Sequence, residues 1–178
     1  MSEFHPGHGS DGSRGGIPRG FTLVELMIAL VILAILLGVA VPSFQGAALS
    51  GRLSAYANDF VASTQLARSE AVKRNAAVRL CVSADGADCD DEGGWESGWI
   101  VVTAAGDVIQ RQPALEADYS FSEAGGATVL TFPPTIVGVT PVSFTVCRAA
   151  PEGSEERVVT VTASGTASVE RTAEGSCP

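Results

Sequence analysis

The chain has 178 residues, a length that suits one domain with an appendage. It is 46% hydrophobic and 17% charged, which excludes a disordered protein, and its 20 Gly and 9 Pro argue against an all-helical one. The formal net charge of -9 disfavours a general nucleic-acid binder, because phosphate binding requires an excess of Lys and Arg. Its two histidines, His5 and His8, lie near the start, so the rest of the chain lacks the side chain on which most catalytic triads and zinc sites depend. We therefore expect no enzyme, no cofactor and no metal.

The first segment of the chain is rich in Gly and has no apolar periodicity, which predicts a flexible leader over residues 1–20. From Leu26 to Val41 there are 16 consecutive residues without a polar side chain. Counted from Phe21, this stretch corresponds to about 31 Å of helix, enough to span a bilayer. A secretory signal peptide would be followed by a small-residue cleavage site, and none follows here. We predict that residues 21–45 form a transmembrane helix that stays attached to the protein.

Two residues of this apolar segment are unusual for a transmembrane helix. Glu25 places a carboxylate at the edge of the hydrocarbon, where an unpaired ionised group costs at least a few kcal/mol. It either snorkels to the membrane interface or meets a specific partner. Pro42 cannot donate to the carbonyl of Gly38, so the helix is predicted to be soft or kinked between these positions.

The next segment, residues 46–74, shows an amphipathic helical pattern. Apolar and small residues recur at three- and four-residue steps, and they predict the buried face: Leu49, Leu53, Tyr56, Phe60, Ser63, Ala67 and Ala71. With the segment before it, this pattern predicts one helix from Phe21 to Arg74. Glu70 is spaced to pair with Lys73 and Arg74, and we expect these charges to form a solvated face worth tenths of a kcal/mol.

Beyond the helix the apolar period changes from 3.6 to 2, which predicts a β-rich domain over residues 75–178. Seven short strands are predicted, over residues 77–83, 98–104, 107–112, 128–132, 142–148, 157–163 and 166–171. The dipeptide Ser164-Gly165 predicts a hairpin between the last two. A helix followed by consecutive antiparallel strands predicts an α+β fold.

The cysteines indicate the compartment. The chain has four of them, Cys81, Cys89, Cys147 and Cys177, and no two have the spacing typical of metal ligands. An even, scattered set favours disulfides in an oxidising compartment over buried thiols in a cytosolic protein. Of the three possible pairings we predict Cys81–Cys89, which closes a short acidic loop, and Cys147–Cys177, which ties the tail to a strand.

The sequence RGFTLVEL, followed by an apolar helix, resembles a type IV prepilin signal over residues 19–45. The resemblance implies that a prepilin peptidase cuts between Gly20 and Phe21 at the cytoplasmic side of the inner membrane, and that the new α-amine of Phe21 is methylated. It also implies an assembly role for Glu25. The amine has a reference pKa near 8, so its positive charge can neutralise the carboxylate of a neighbouring subunit inside a filament.

The second half of the chain resembles the GspH/FimT family, which contains the type II secretion pseudopilin H and the minor type IV pilins FimU and FimT. The matching segments are LARSEAVKRN (66–75), GGWESGWIVV (93–102), VSFTVCR and the terminal Cys177. The resemblance implies a type IV pilin-like fold, in which a long N-terminal helix packs on antiparallel β-sheets. We expect Trp95 and Trp99, with Gly98 between them, to pack in the core rather than to stack on a ligand.

The function implied by these resemblances is that of a minor pilin, which joins a tip complex that primes type IV pilus assembly. The implied partners are other minor pilins or pseudopilins, the major pilin, the prepilin peptidase and the inner-membrane assembly platform. The implied location is the bacterial inner membrane, with a periplasmic C-terminal domain, and then the pilus tip. The alternatives are an H-type pseudopilin of a type II secretion system and a DNA-uptake receptor. Family members in secretion systems often lack two disulfides, so four cysteines favour the pilus.

Two charged clusters remain as weaker candidate sites. The loop around Cys89 is acidic, with Asp85, Asp88, Asp90, Asp91 and Glu92, but it lacks the spacing of an EF-hand, so we expect a solvated loop rather than a calcium site. The only basic cluster is Lys73, Arg74 and Arg79. Residues 46–178 hold nine Lys or Arg against seventeen Asp or Glu, so DNA is an unlikely partner.

Overall fold

The computed structural model describes residues 20–148 and 155–172, with the backbone alone described over 39–45. The chain divides into two compact units between Ser43 and Phe44. Helix α1 spans Leu23–Arg74, and within the described residues it is followed by eight strands and one 3-10 turn, Trp95–Ser97. The strands are β1 Val78–Val82, β2 Trp99–Thr103, β3 Val108–Gln112, β4 Tyr119–Glu123, β5 Val129–Phe132, β6 Val142–Arg148, β7 Glu156–Val161 and β8 Ala167–Thr172.

The strands form two four-stranded sheets, in the orders β3-β2-β1-β5 and β4-β6-β7-β8. All pairs are antiparallel, and the hairpin predicted at Ser164-Gly165 joins β7 to β8 with Val161 opposite Ala167. A long N-terminal helix with antiparallel sheets confirms the predicted α+β, pilin-like fold. Strand β4 was not predicted, because its five residues, YSFSE, include no β-branched residue.

Helix α1 ends where the sequence predicts, at Arg74. Asn75 has a φ of 49°, the left-handed conformation that Asn tolerates better than most residues. Its N–H donates to the carbonyl of Val72, and the N–H of Ala76 donates to that of Ala71. This is the Schellman pattern of a helix end, and it turns the chain into β1.

The main core of the second unit is organised around Phe60 of α1. Its ring makes edge or tilted contacts with four aromatic rings at centroid distances of 4.5 to 5.4 Å: Trp95, Trp99, Phe121 and Phe144. Trp99 belongs to the first sheet, whereas Phe121 and Phe144 belong to the second. One helix residue therefore packs against both sheets, and the predicted helical face is the buried one from Leu53 to Ala71.

A smaller apolar cluster, consisting of Cys81, Ile100 and Val102, lies apart from this main core. Side chains alternate between the two faces of a strand, so these residues lie on the face of the first sheet opposite to that of Leu80 and Val101. Cys89, from the acidic loop, packs against this cluster. The loop therefore covers the sheet, which explains why every residue of β2 is buried.

Candidate functional site

The N-terminal end of α1 carries the residues predicted to direct processing and assembly. Thr22 precedes the first helical residue, and its Oγ1 accepts a hydrogen bond of 3.2 Å from the backbone N–H of Glu25. Thr22 and Glu25 thus have the spacing of a capping box, with the carboxylate in the first helical turn, where the helix dipole favours negative charge. This capping role was not predicted, although the pattern Thr-x-x-Glu signals it.

The segment after this cap is apolar on every side. Phe21 is 82% exposed, and the large apolar side chains from Leu23 to Leu37 are also exposed in the isolated chain. Within the described residues, no helix is long and apolar enough to cross a bilayer. The transmembrane helix predicted for residues 21–45 stays a prediction. So do the cut between Gly20 and Phe21 and the pairing of Glu25.

The two tryptophans of the second motif are both buried, as expected for core residues. Nε1 of Trp95 donates to the carbonyl of Ala127 at 2.8 Å, and Nε1 of Trp99 donates to Oγ of Ser63 at 2.9 Å. Each indole therefore buries its ring and satisfies its single donor. Neither is free to stack on a ligand.

Gly98, between these tryptophans, lies in a position that excludes a side chain. Its φ is 109°, a conformation that L-residues rarely adopt. A Cβ atom at this position would lie 2.7 Å from the carbonyl oxygen of Gln112 and 3.0 Å from that of Ser83. The backbone of the 3-10 turn therefore passes directly against two other segments, and glycine is required there.

The acidic loop is held by a disulfide and by its own carboxylates. Cys81 and Cys89 are bonded, with their Cα atoms 5.5 Å apart, as the sequence predicts. Oδ2 of Asp90 accepts from the N–H of Ala84 at 2.7 Å. The backbone N–H groups of Ala87 and Asp88 donate to Asp85 and hold the pKa of its carboxyl below the usual range. Over the described residues, no group of three or more potential ligands is placed to hold a metal ion.

The second predicted disulfide involves one described cysteine. Cys147 lies in β6, is buried and is disulfide-bonded. Cys177 lies outside the described residues. The pairing of these two cysteines stays a prediction.

Two of the three residues of the predicted basic cluster form ion pairs with Glu70. Lys73 Nζ lies 3.2 Å from one oxygen of Glu70, and Arg74 Nε lies 2.7 Å from the other. The prediction of a solvated charged face was wrong for Glu70, whose side chain is only 12% exposed. The reason is its position one turn after Ala67, at the margin of the buried helical face. Hydrogen bonds from Arg74 and Lys73 lower the pKa of Glu70. Arg79 lies on β1, half-buried and apart in sequence from this ion-paired group.

Comparison with known proteins identifies the family. The family described as Type II transport protein GspH matches residues 56–165, more than half of the chain. This chain belongs to that family. A second match, to the prokaryotic N-terminal methylation motif, covers residues 18–41.

Solved structures with this GspH-family fold come from both pilus and secretion proteins. The type IV minor pilin FimU of Pseudomonas aeruginosa is 22% identical, with a TM-score of 0.55 over 68% of this chain and 90% of FimU. The minor pseudopilin EpsH, from the type 2 secretion system of Vibrio cholerae, is 15% identical, with a TM-score of 0.50 over 67% of this chain and 96% of EpsH. These likenesses show the fold alone.

Curated relatives that match part of this chain are pilins and pilin-like proteins. Pilin-like protein PilA1 of Thermus thermophilus is 42% identical over 69 residues, which cover 39% of this chain and 43% of that protein. Type IV major fimbrial protein FimA of Dichelobacter nodosus is 28% identical over 84 residues, which cover 47% of this chain and 44% of FimA. The chain thus spans less than half the length of these two relatives.

Proposed function

We propose that this GspH-family chain is a minor pilin, which joins a tip complex and primes type IV pilus assembly. The observation that carries the proposal is the N-terminal end of α1. There, a capped helix with exposed apolar side chains begins two residues after the predicted cleavage site, Gly20-Phe21, within the methylation motif. Exposed apolar surface of this extent needs a cover, and neighbouring helices in a filament supply one. The role is structural, without catalysis.

The proposed processing follows from the chemistry of this end. Cleavage after Gly20 creates an α-amine on Phe21, and methylation leaves its positive charge in place. In a filament, the amine of one subunit and the carboxylate of Glu25 in its neighbour neutralise each other in a medium of low dielectric. Each subunit can then bury its N-terminus in only one axial register, so Glu25 fixes the axial position of a subunit relative to its neighbour.

The proposed location and partners follow from the same assignment. Before assembly, the helix over residues 21–45 is held in the inner membrane and the second unit lies in the periplasm. The prepilin peptidase, the assembly platform, the major pilin and other minor pilins are then the proteins that the chain meets. The Cys81–Cys89 disulfide supports an oxidising compartment such as the periplasm.

A second candidate function is that of an H-type pseudopilin in a type II secretion system. The description of the matched family as a type II transport protein favours it. A DNA-uptake receptor is disfavoured. The net charge of -9 opposes phosphate contacts, and two of the three clustered cations are already paired with Glu70.

Deletion of the gene, followed by counts of surface pili and an assay of secreted enzymes, separates these functions. We expect loss of pili with secretion unchanged, and the reverse result would favour the pseudopilin.

The Glu25 variants test the assembly role in the complemented strain. Glu25→Val should leave cleavage intact but reduce co-purification with the other minor pilins, whereas Glu25→Asp, which keeps the charge, should reduce it less. Unchanged co-purification of Glu25→Val would remove the proposed role of Glu25.

A mobility-shift titration with the soluble domain, residues 46–178, tests whether the chain is a DNA receptor. We expect weak binding, because the net negative charge of the domain opposes contacts with DNA phosphates. We also expect it to be lost at modest salt, because charges are screened over about 8 Å at physiological ionic strength. Sub-micromolar binding at physiological salt, abolished by substitution of Lys73, Arg74 or Arg79, would support a DNA receptor instead.

A further inference from the structure

A groove beside the C-terminal part of α1 has largely apolar walls and contains an arginine with an unused hydrogen-bond donor. It has a volume of about 680 Å³. Its wall includes Arg68, Val72 and Lys73 of the helix, Ile136 of the β5–β6 loop and residues 164–166 of the β7–β8 turn. Lys73 is paired with Glu70. We refer to it as the Arg68 groove. All of these elements belong to the second unit of the chain.

The loop that carries Ile136 is held rigidly, yet it presents apolar side chains to solvent. The N–H groups of Gly138 and Val139 both donate to the carbonyl of Ala163, at 3.1 and 3.2 Å, and the Val139 side chain is buried. By contrast, Ile136 is 78% exposed and Val137 is 61% exposed. Across the groove, Val72 is 54% exposed. A pre-ordered apolar surface loses little conformational entropy when a partner covers it.

Arg68 gives the groove a chemical preference. Its Nη2 donates to the carbonyl of Ile136 at 3.0 Å, which holds the guanidinium at the groove wall. Its Nη1 is buried and has no hydrogen-bond acceptor within the described residues. A buried donor without an acceptor destabilises the protein, so an incoming acceptor recovers that cost. A carboxylate is a strong, charge-assisted acceptor for a guanidinium, and Arg68 lines the groove.

We infer that the Arg68 groove binds a segment of another pilin-type subunit, in which an aliphatic side chain lies next to a carboxylate. The aliphatic group packs between Val72 and Ile136, and the carboxylate accepts from Arg68. The inference rests on the proposed function, since it takes another assembly subunit as the partner. A second copy of this chain is disfavoured by charge, because two subunits that each carry a net charge of -9 repel one another.

The test is photo-crosslinking in cells that produce this full-length chain together with the other minor pilins. p-Benzoylphenylalanine replaces Val137, an exposed residue directly after the lining residue Ile136. In a control chain it replaces Ala105, an exposed residue of the β2–β3 turn, far in sequence from every lining residue. The crosslinked peptide is sequenced, and co-purification of the minor pilins is measured in parallel. We expect the Val137 probe to capture a peptide with Asp or Glu within four residues of Val, Leu or Ile, and the Ala105 probe not to capture it.

Substitutions then test the two kinds of contact. Arg68→Gln and Ile136→Asp should each lower the crosslink yield about tenfold, the effect of losing one central interface contact. Arg171→Gln, which changes an exposed arginine outside the groove, should not. Ile136 is largely exposed, so its variant keeps the test valid even if Arg68→Gln does not fold. Reversal of the captured carboxylate to Lys should restore the yield in Arg68→Glu.

Other outcomes would overturn the inference. Capture of lipid, of a second copy of this chain or of a segment without a carboxylate would contradict the proposed partner. If the minor pilins co-purify but the Val137 probe captures none of them, the groove assignment fails and the proposed function stands. If they do not co-purify with the unmodified chain, the proposed function fails and this inference fails with it.

Discussion

Trp99 Nε1 donates a hydrogen bond of 2.9 Å to Ser63 Oγ, and both residues are completely buried. The bond joins strand β2 to the middle of α1, across 36 residues of sequence. Ser63 Oγ also donates to the carbonyl of Asp59 one turn earlier, so its hydroxyl is used as donor and acceptor. This pair explains a serine in the buried helical face, where the apolar pattern alone would favour alanine.

We expect Ser63→Ala to destabilise the soluble domain by about 1–3 kcal/mol, because it leaves the Trp99 N–H buried without an acceptor. Urea unfolding of a fragment that begins at Gly46 measures the change. Ser69→Ala, which alters an exposed serine of the same helix, is the matched control and should cost less than about 0.5 kcal/mol. If the two variants are equally stable, the buried hydrogen bond contributes nothing.

Gly98→Ala should be strongly destabilising, since the added Cβ would meet backbone atoms at 2.7 and 3.0 Å. Gly106→Ala is its control, because Gly106 also has a positive φ, 94°, but its Cβ would have no atom within 4 Å. Gly106→Ala should show the conformational cost alone, about 1–2 kcal/mol. Gly98→Ala should destabilise the domain by about 1 kcal/mol or more beyond that, because the added Cβ also overpacks the backbone. Equal unfolding midpoints for the two variants would contradict the close backbone contact.

Glu70 should make the domain sensitive to acid. Its pKa is lowered in the folded state by hydrogen bonds from Arg74 and Lys73. A lowered folded-state pKa stabilises the fold above the unfolded-state pKa, about 4.3 for Glu, and this stabilisation is lost as the pH falls through the lower, folded-state value. Glu70→Gln should therefore reduce stability at pH 7 and flatten its fall between about pH 5 and pH 3. An unchanged slope in Glu70→Gln would contradict the stabilising role of these ion pairs.

The disulfide map is a fourth prediction. Non-reducing peptide mapping should recover Cys81–Cys89 and Cys147–Cys177 as separate linked peptides. Removal of the second bond, with Cys147→Ser and Cys177→Ser together, should cost about 3 kcal/mol or more, because the loop that it closes is long. A linked peptide that contains Cys81 and Cys147 would contradict the pairing of Cys81 with Cys89.

The sequence predicted most of this fold because its strongest signals are local. The apolar steps of α1, the period of two after Asn75 and the turn at Ser164-Gly165 each depend on residues near in the chain. The features that it did not predict depend on distant residues. Arg157 of β7 is buried and donates from Nε to Ser54 Oγ at 3.1 Å, across 103 residues, and no periodicity signals such a contact.

The candidate functional residues also divide into those that are close in sequence, which could be predicted, and those that are distant, which could not. The residues of the N-terminal motif could be identified from the sequence, since Gly20, Phe21 and Glu25 lie within six residues of one another. The Arg68 groove could not. Its wall combines one helix with two loops that are separated by tens of residues, and its apolar members look like ordinary loop residues in the sequence.

The final prediction concerns processing, on which the assembly proposal depends. Cleavage between Gly20 and Phe21 removes 20 of the 178 residues and leaves 158, with one methyl group on the new amine. Intact mass measured from membranes that contain a prepilin peptidase checks both changes at once. In membranes without the peptidase, the full-length mass should persist. A protein that keeps residues 1–20 beside an active peptidase would contradict the prediction, and so would one that is cut after Pro42. The position of the cut matters physically, because only an amine on Phe21 lies four residues before Glu25, at the start of the capped helix.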